Sequence, residues 1–212
     1  MALWKKLGVA LIAAGGLGAA AVAAAGHYEA PRYDVVESRD AFEVREYAPR
    51  VHAEVTVSGS QRESASTAFR ILASYIFGQN QPNEKIGMTV PVGQQPRGEK
   101  IGMTVPVGQQ ALDGAQQEWV VWFMMPGRYT IDSLPAPQDS RIALREEPAH
   151  RAAVLTFRGK IRPGTFEERA AELTAALDAT GLESAGPPTL AQFSPPSVPG
   201  FLRRNEIQIP LR

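Results

Sequence analysis

Histidine and methionine are the side chains of this sequence best suited to bind a metal or a metal-bearing ligand. The three histidines, His27, His52 and His150, stand singly, without the HxxxH or HxH spacing that places two imidazoles on one metal ion. Cysteine is absent, which excludes thiolate catalysis, cysteine-ligated metal sites and disulfide bonds. No zinc site is therefore predicted, and the fold must depend on its apolar core.

Sequence motifs that mark common enzyme classes are missing. There is no GxSxG for a serine hydrolase and no GxxxxGK[ST] for a phosphate loop, and residues 93–98 do not open a helix as a dinucleotide site would. The 22 basic residues balance the 22 acidic ones, so no overall field attracts nucleic acid or an anionic membrane. The sequence favours a binding protein over an enzyme and predicts no nucleic-acid partner.

The segment EKIGMTVPVGQQ occurs twice, as residues 84–95 and again as residues 99–110. Two copies at this short period do not make a solenoid or a propeller. Within each copy apolar and other residues alternate as in a β-strand, and the prolines Pro91 and Pro106 predict that each strand ends at an edge or a bulge. Two arrangements stay open: a hairpin of both copies, or one strand beside a looped-out copy.

The N-terminus carries a candidate export signal. Lys5 and Lys6 precede residues 7–26, an uncharged run rich in Ala, Gly, Leu and Val, with small residues at Ala23–Ala25 that suit signal peptidase. The same run suits a single membrane anchor, although its Ala and Gly content favours cleavage. Residues 1–26 are thus predicted to be a signal peptide or an anchor that takes the chain across the membrane, leaving it periplasmic or tethered.

Two helices are predicted from capping signals and apolar periodicity. Ser60 and Glu63 match a capping box, and Gly78 supplies a stop. Thr165 and Glu168 match a second capping box, and Gly181 ends that helix. The apolar face of the first helix consists of Ala65, Phe69, Leu72, Ala73 and Ile76, and that of the second of Phe166, Ala170, Leu173 and Leu177.

The strands are predicted from alternation and apolar runs. Residues 50–57 place Val51, Ala53 and Val55 on one face and leave the other face to water. Residues 118–125 are apolar on both faces, which indicates a strand covered on both sides or lining an internal cavity. Further strands are predicted at 33–37, 41–47, 140–146, 149–157 and 206–209. This order of elements predicts one α+β domain with a mostly antiparallel sheet.

Five phrases resemble, in order and spacing, the SOUL haem-binding protein family: FEVREY at 42–47, SYIFG at 74–78, MTVPV at 88–92, FMMP at 123–126 and FLRRNE at 201–206. The resemblance covers residues 33–211. It implies a distorted antiparallel β-barrel of two similar halves, each a helix on a sheet, after the N-terminal apolar helix. It also implies non-covalent binding of haem or a related tetrapyrrole, for carriage or buffering, without catalysis.

The resemblance also implies where haem would lie. In family members the wall of the haem site comes from the first helix, which corresponds here to Phe69, Leu72, Ala73 and Ile76. Met88 and Met103 of the repeats would lie nearby, and their thioethers are able to ligate iron. The alternative is that all six residues belong to an ordinary core.

No axial iron ligand is transferred from the family. One branch has a histidine where this chain has Glu46, a poor partner for haem iron. His52 is expected on the solvated face of its strand, and His150 at the start of another strand. Arg203, Arg204 and Glu206 are expected to form a structural ion network.

Two other functions stay open from the sequence. One is a binding module for another flat amphipathic small molecule, because the fold also resembles effector-binding domains of transcription regulators. The other is an interaction protein of the cell envelope that uses the duplicated segment as its contact surface.

Overall fold

The computed structural model describes residues 28–81, 98–112, 118–195 and 197–212. The predictions for the leader at 1–26, for the first repeat copy with Met88, and for His27 lie outside these residues. In the part of the chain that is described, no helix is long and apolar enough to cross a membrane.

Eleven β-strands and two α-helices follow one another along the described residues. In chain order they are β1 (Tyr33–Ser38), β2 (Glu43–Tyr47), β3 (Arg50–Ser58), α1 (Gln61–Ile76), β4 (Asn80–Gln81), β5 (Val107–Leu112), β6 (Glu118–Met124), β7 (Ala136–Pro137), β8 (Ala143–Glu147), β9 (His150–Arg158), α2 (Thr165–Asp178), β10 (Thr189–Gln192) and β11 (Arg204–Leu211). A short 3-10 turn, Gly200–Leu202, precedes β11.

Nine of these strands form one antiparallel sheet in the order β1-β2-β9-β11-β10-β5-β6-β3-β8. Helix α1 packs on the neighbouring strands β3 and β6, and α2 packs on the neighbouring strands β9 and β11. The two halves meet where β10 pairs with β5. The α+β prediction of two similar helix-on-sheet halves is confirmed, as a curled half-barrel whose edge strands are β1 and β8.

Helix α1 begins as predicted but turns a different face to the sheet. The Glu63 amide donates to Ser60 Oγ at 3.5 Å, and Glu63 Oε2 accepts from the Ser60 amide at 3.2 Å, which confirms the capping box. Its buried stripe is centred on Ala68, Leu72 and Tyr75. Phe69 lies at the margin of that stripe and is 40% exposed, because the strands contact the helix about one position away from the predicted face.

Helix α2 buries the predicted face but lacks the predicted capping box. Its N-cap is Gly164, at φ 82°, with no side-chain cap. Thr165 is the first helical residue, and its Oγ1 accepts from the Arg162 amide at 3.0 Å, so the threonine oxygen is used outside the helix. The four predicted core residues, Phe166, Ala170, Leu173 and Leu177, are all buried.

One apolar core fills the space between the two helices and one face of the sheet. The alternation predicted for β3 is confirmed, because Val51, Ala53 and Val55 are buried in this core. In β6, Val121 and Phe123 point into the core, whereas Val120 and Trp122 lie on the opposite sheet face. The strand that was apolar on both faces therefore borders the core on one side and a cleft on the other.

The second repeat copy supplies β5, but not over the length predicted. Ile101 is buried in the core and its amide donates to the Ile76 carbonyl, while the strand starts only at Val107. The prediction that the strand ends near Pro106 is wrong, because this proline, which has no amide to donate to a sheet, precedes the strand. Gly98 lies so close to Gly78 that a Cβ would come within 1.7 Å of the Gly78 carbonyl oxygen.

Candidate ligand-binding groove between the two halves

A groove of about 370 Å³ lies on the sheet face opposite the helices, where the curl brings the two halves together. Strands β3, β6 and β8 form one side, and β9, β10 and β11 form the other. The side chains that matter for its chemistry are Arg50, His52, Glu54, Trp122, Arg145, Glu147 and His150. Polar residues of β3 that the sequence assigned to water thus line a shared cleft.

A second cleft, of about 590 Å³, adjoins the groove. It is bordered by residues 29–32 and by the segment after β6, including Met125 and Tyr129. Arg50, Glu147 and Pro148 line both cavities, so the turn between β8 and β9 forms their common border. Each volume lies within the range of roughly 300–1,000 Å³ that small-molecule sites occupy.

Trp122 provides the aromatic wall of the groove. Its partner across the β5–β6 pair is Gly108, and a Cβ on Gly108 would come within 2.1 Å of the indole. Glycine at this position lets the indole lie close to the backbone of β5. The His52 ring lies at 5.8 Å from the indole, centroid to centroid, with a tilt of 38°.

Six charged or titratable side chains in the groove form what we call the open cluster: Arg50, His52, Glu54, Arg145, Glu147 and His150. Arg50 Nε donates to Glu147 Oε2 at 2.5 Å, and His150 Nε2 lies 3.4 Å from Glu147 Oε1. Arg145 Nε donates to Glu54 Oε1 at 2.5 Å. The two carboxylates therefore hold the cluster together.

Burial and charge set the protonation of this cluster. Burial lowers the pKa of His52 below its ordinary value, although the nearby carboxylates of Glu147 and Glu54 oppose this. For Glu147, burial raises the pKa, but the hydrogen bond and charge of Arg50 outweigh it and the pKa is lowered. At neutral pH the groove therefore holds an ionised Glu147 beside a neutral His52.

The two histidines differ in which ring nitrogen is free. His150 Nδ1 lies 3.1 Å from the Pro148 carbonyl oxygen, which is able only to accept, so Nδ1 carries the proton. The same ring stacks on Tyr47 at 5.3 Å and 18°. His52 Nε2 lies 3.2 Å from Glu54 Oε2 and donates to it, whereas His52 Nδ1 is shielded from solvent without a hydrogen-bond partner among the described residues.

A second group on the same sheet face, which we call the sealed cluster, consists of Arg45, Tyr47, Arg204, Glu206 and Gln208. Glu206 is completely buried and accepts from Arg45 Nη1 at 3.0 Å and from Gln208 Nε2 at 2.9 Å. Arg204 also donates to it. This confirms a structural ion network around Arg204 and Glu206, and Arg203 instead donates to the Val198 carbonyl.

The predicted haem-wall residues lie mostly inside the core. Leu72, Ala73 and Ile76 are 0%, 8% and 1% exposed, and Phe69 contacts Phe123 edge to face at 5.3 Å. Met103 is partly buried against the same core. The helix-side haem wall stays a prediction, as does a Met88–Met103 pair, since Met88 is outside the described residues.

Sequence reasoning did not assemble the groove. It treated His52 and His150 as separate residues, whereas the structure brings both rings to Glu147. The available signal was Trp122 in a strand with two apolar faces. Among the described residues, no three histidine or carboxylate side chains are placed to hold a bare metal ion.

The sequence profile of the SOUL heme-binding protein family matches residues 28–210. The chain is also 29% identical, over 147 residues, to heme-binding protein 1 from Sus scrofa, which covers 68% of this chain and 70% of that protein.

Solved structures share the fold at low sequence identity. The C-terminal domain of EcmrR is 12% identical with a TM-score of 0.53, covering 85% of this chain and 98% of that domain. A hydrolase from Listeria innocua is 14% identical with a TM-score of 0.51, covering 84% of this chain and 94% of the hydrolase. At these identities the likeness shows the fold alone.

Proposed function

Because this chain belongs to the SOUL heme-binding protein family, we propose that it binds haem or a related tetrapyrrole non-covalently. The observation that carries the proposal is the family match, which extends over residues 28–210 and so includes nearly all of the described fold. The similarity to heme-binding protein 1 of Sus scrofa supports it.

The residues of the groove suit such a ligand. A haem is a flat apolar ring with two propionates and needs an apolar wall, a positively charged rim and a nitrogen or sulfur donor. Trp122 offers the wall, Arg50 and Arg145 offer positive charge, and the groove contains two imidazoles. When bound, the haem supplies an iron centre whose axial positions protein side chains occupy.

The test is an absorption titration of the purified full-length chain with haemin. The expected result is a shifted and sharpened Soret band that saturates at one haem per chain. A spectrum that stays identical to haemin in the same buffer, up to a large excess of either component, would overturn the proposal.

We propose further that the protein works outside the cytoplasm, in the periplasm or tethered to the membrane. The basic and apolar composition of residues 1–26 supports this. Fractionation with N-terminal sequencing is the test, and it distinguishes a cleaved leader from a retained anchor. Intact protein found only in the cytoplasm contradicts the proposal.

A second candidate function is binding of another planar amphipathic molecule. The observation that favours it is the mixed charge of the groove, where Glu54 and Glu147 lie beside the arginines. A planar cationic dye distinguishes the two functions. If the dye binds and haemin does not displace it, this second function replaces the first.

A further inference from the structure

We propose that the tetrapyrrole lies in the groove between the two halves, against Trp122, and that His150 Nε2 is its axial iron ligand. This inference rests on the proposed function and assigns its site. It differs from the helix-side wall predicted from the sequence, where three of the four helix residues are buried in the protein's own core.

The first argument is access. The groove has a volume of about 370 Å³ and adjoins the cleft of about 590 Å³, so an elongated flat ring is able to extend past the β8–β9 turn. On the helix side, Leu72 and Ile76 have almost no exposed surface left. A ring there would have to displace core side chains, at a cost comparable to that of core disruption.

The second argument is the protonation state of His150. Because Nδ1–H donates to the Pro148 carbonyl, the lone pair of the neutral ring is on Nε2. Metal-binding histidines commonly donate their other ring N–H to a carbonyl or carboxylate in this way. Stacking on the buried Tyr47 fixes the plane of the ring. His150 is therefore oriented as an iron ligand before any iron arrives.

The third argument separates His150 from His52. His52 donates through Nε2 to Glu54, so its lone pair is on Nδ1, which is shielded from solvent. A ring in the groove is unable to reach that atom without moving β3. His52 therefore belongs to the wall beside Trp122, and only His150 presents a free lone pair at the groove surface.

Glu147 is the neighbour that must yield to iron. Its Oε1 lies 3.4 Å from His150 Nε2, while its Oε2 stays paired with Arg50 at 2.5 Å. The carboxylate is able to leave His150 and keep its charge partner. Arg145, with a side chain 65% exposed at the groove edge, retains guanidinium donors beyond the one given to Glu54 and suits a propionate.

The test compares two matched variants, His150→Ala and His52→Ala, with two ligands, haemin and metal-free protoporphyrin IX. We expect His150→Ala to weaken haemin binding by roughly tenfold or more and to move the Soret band. Binding of the metal-free ring should stay unchanged, and imidazole added to the solution should restore the Soret band. His52→Ala should keep the wild-type Soret position.

A third variant, Trp122→Ala, tests the wall itself. It should weaken both the metal-free ring and haemin, because it removes a contact with the ring and not with the iron. The metal-free ring also reports whether each variant is folded.

The outcomes separate the site from the function. If wild-type protein does not bind haemin, the proposed function fails. If wild-type protein binds haemin but neither His150→Ala nor Trp122→Ala changes binding, while Phe69→Ala abolishes it, the groove is wrong and the function stands. If His150→Ala weakens both ligands equally, His150 is a wall residue, and its assignment as the iron ligand is overturned.

Discussion

The open and sealed clusters lie on the same sheet face and contain the same kinds of side chain, yet solvent reaches only one of them. In the sealed cluster Glu206 is 0% and Arg45 is 3% exposed, and Arg45 lies under the ring of Tyr33 at 4.3 Å. In the open cluster the side chain of Glu147 is 27% and that of Arg145 is 65% exposed.

The difference shows which charges stabilise the fold and which are available to a ligand. Glu206 is surrounded by donors from the protein itself, so each of its oxygens has a partner. The open cluster borders a cavity and contains a shielded ring nitrogen of His52 that lacks a partner. Burial, and not composition, therefore distinguishes a structural network from a candidate site.

The largest effect is expected from Glu206→Gln. Loss of this carboxylate leaves Arg45 buried without its counter-charge, which typically costs about 3–5 kcal/mol of the free energy of unfolding. Urea denaturation measures it. The matched control is Glu43→Gln, since Glu43 also pairs with Arg45 but is 41% exposed and should cost less than about 1 kcal/mol. Equal losses in both variants would remove the distinction between sealed and open charges.

A smaller effect is expected from Gly108→Ala, which changes the wall of the open side. The new Cβ would clash with the Trp122 indole and should cost about 1–3 kcal/mol while moving the indole. Urea denaturation and tryptophan fluorescence measure the two consequences. Gly102→Ala is the control, because a Cβ there meets nothing within 4 Å. An unchanged fluorescence spectrum in Gly108→Ala would contradict the described contact.

Removal of residues 84–98 leaves one copy of the repeat, and both clusters should survive. The second copy supplies Gly108 and Gln110 to the groove side, and Asn83 would take the place of Gly98 beside the Gly78 carbonyl. We expect a loss of about 1 kcal/mol. Asn83→Gly in the shortened chain should recover it. Unfolding of the shortened chain would show that the first copy is needed for the fold.

The smallest effect is the pH dependence contributed by His52, which Glu54, Glu147 and Arg50 surround. Its pKa is lowered in the folded state, so the unfolded chain takes up the proton first as the pH falls below about 6.5. Stability should therefore decrease between pH 7.5 and 5.5, and less so in His52→Gln. Identical decreases in the two proteins, measured by urea denaturation, would exclude His52 as the cause.

Local signals predicted the elements well, because they depend on neighbours along the chain. The Ser60–Glu63 capping box and the four-residue face of α2 are both present. Thr165 was misjudged because a capping motif does not state which residue the helix starts from. Phe69 was misjudged because the helix period defines a stripe only to within about one residue until the strands beneath it are known.

By itself, the sequence determined the α+β class, the two helices, the alternation of β3 and the family phrases, since each is carried by periodicity or by contiguous residues. Only the tertiary structure decided that the second repeat copy supplies β5 and that His52 and His150 meet at Glu147. Alternation along β3 marks one face as polar, but it does not show whether that face meets water or another part of the sheet. The curl of a nine-stranded sheet, set by pairings between residues far apart in the chain, turned that polar face into the wall of a groove.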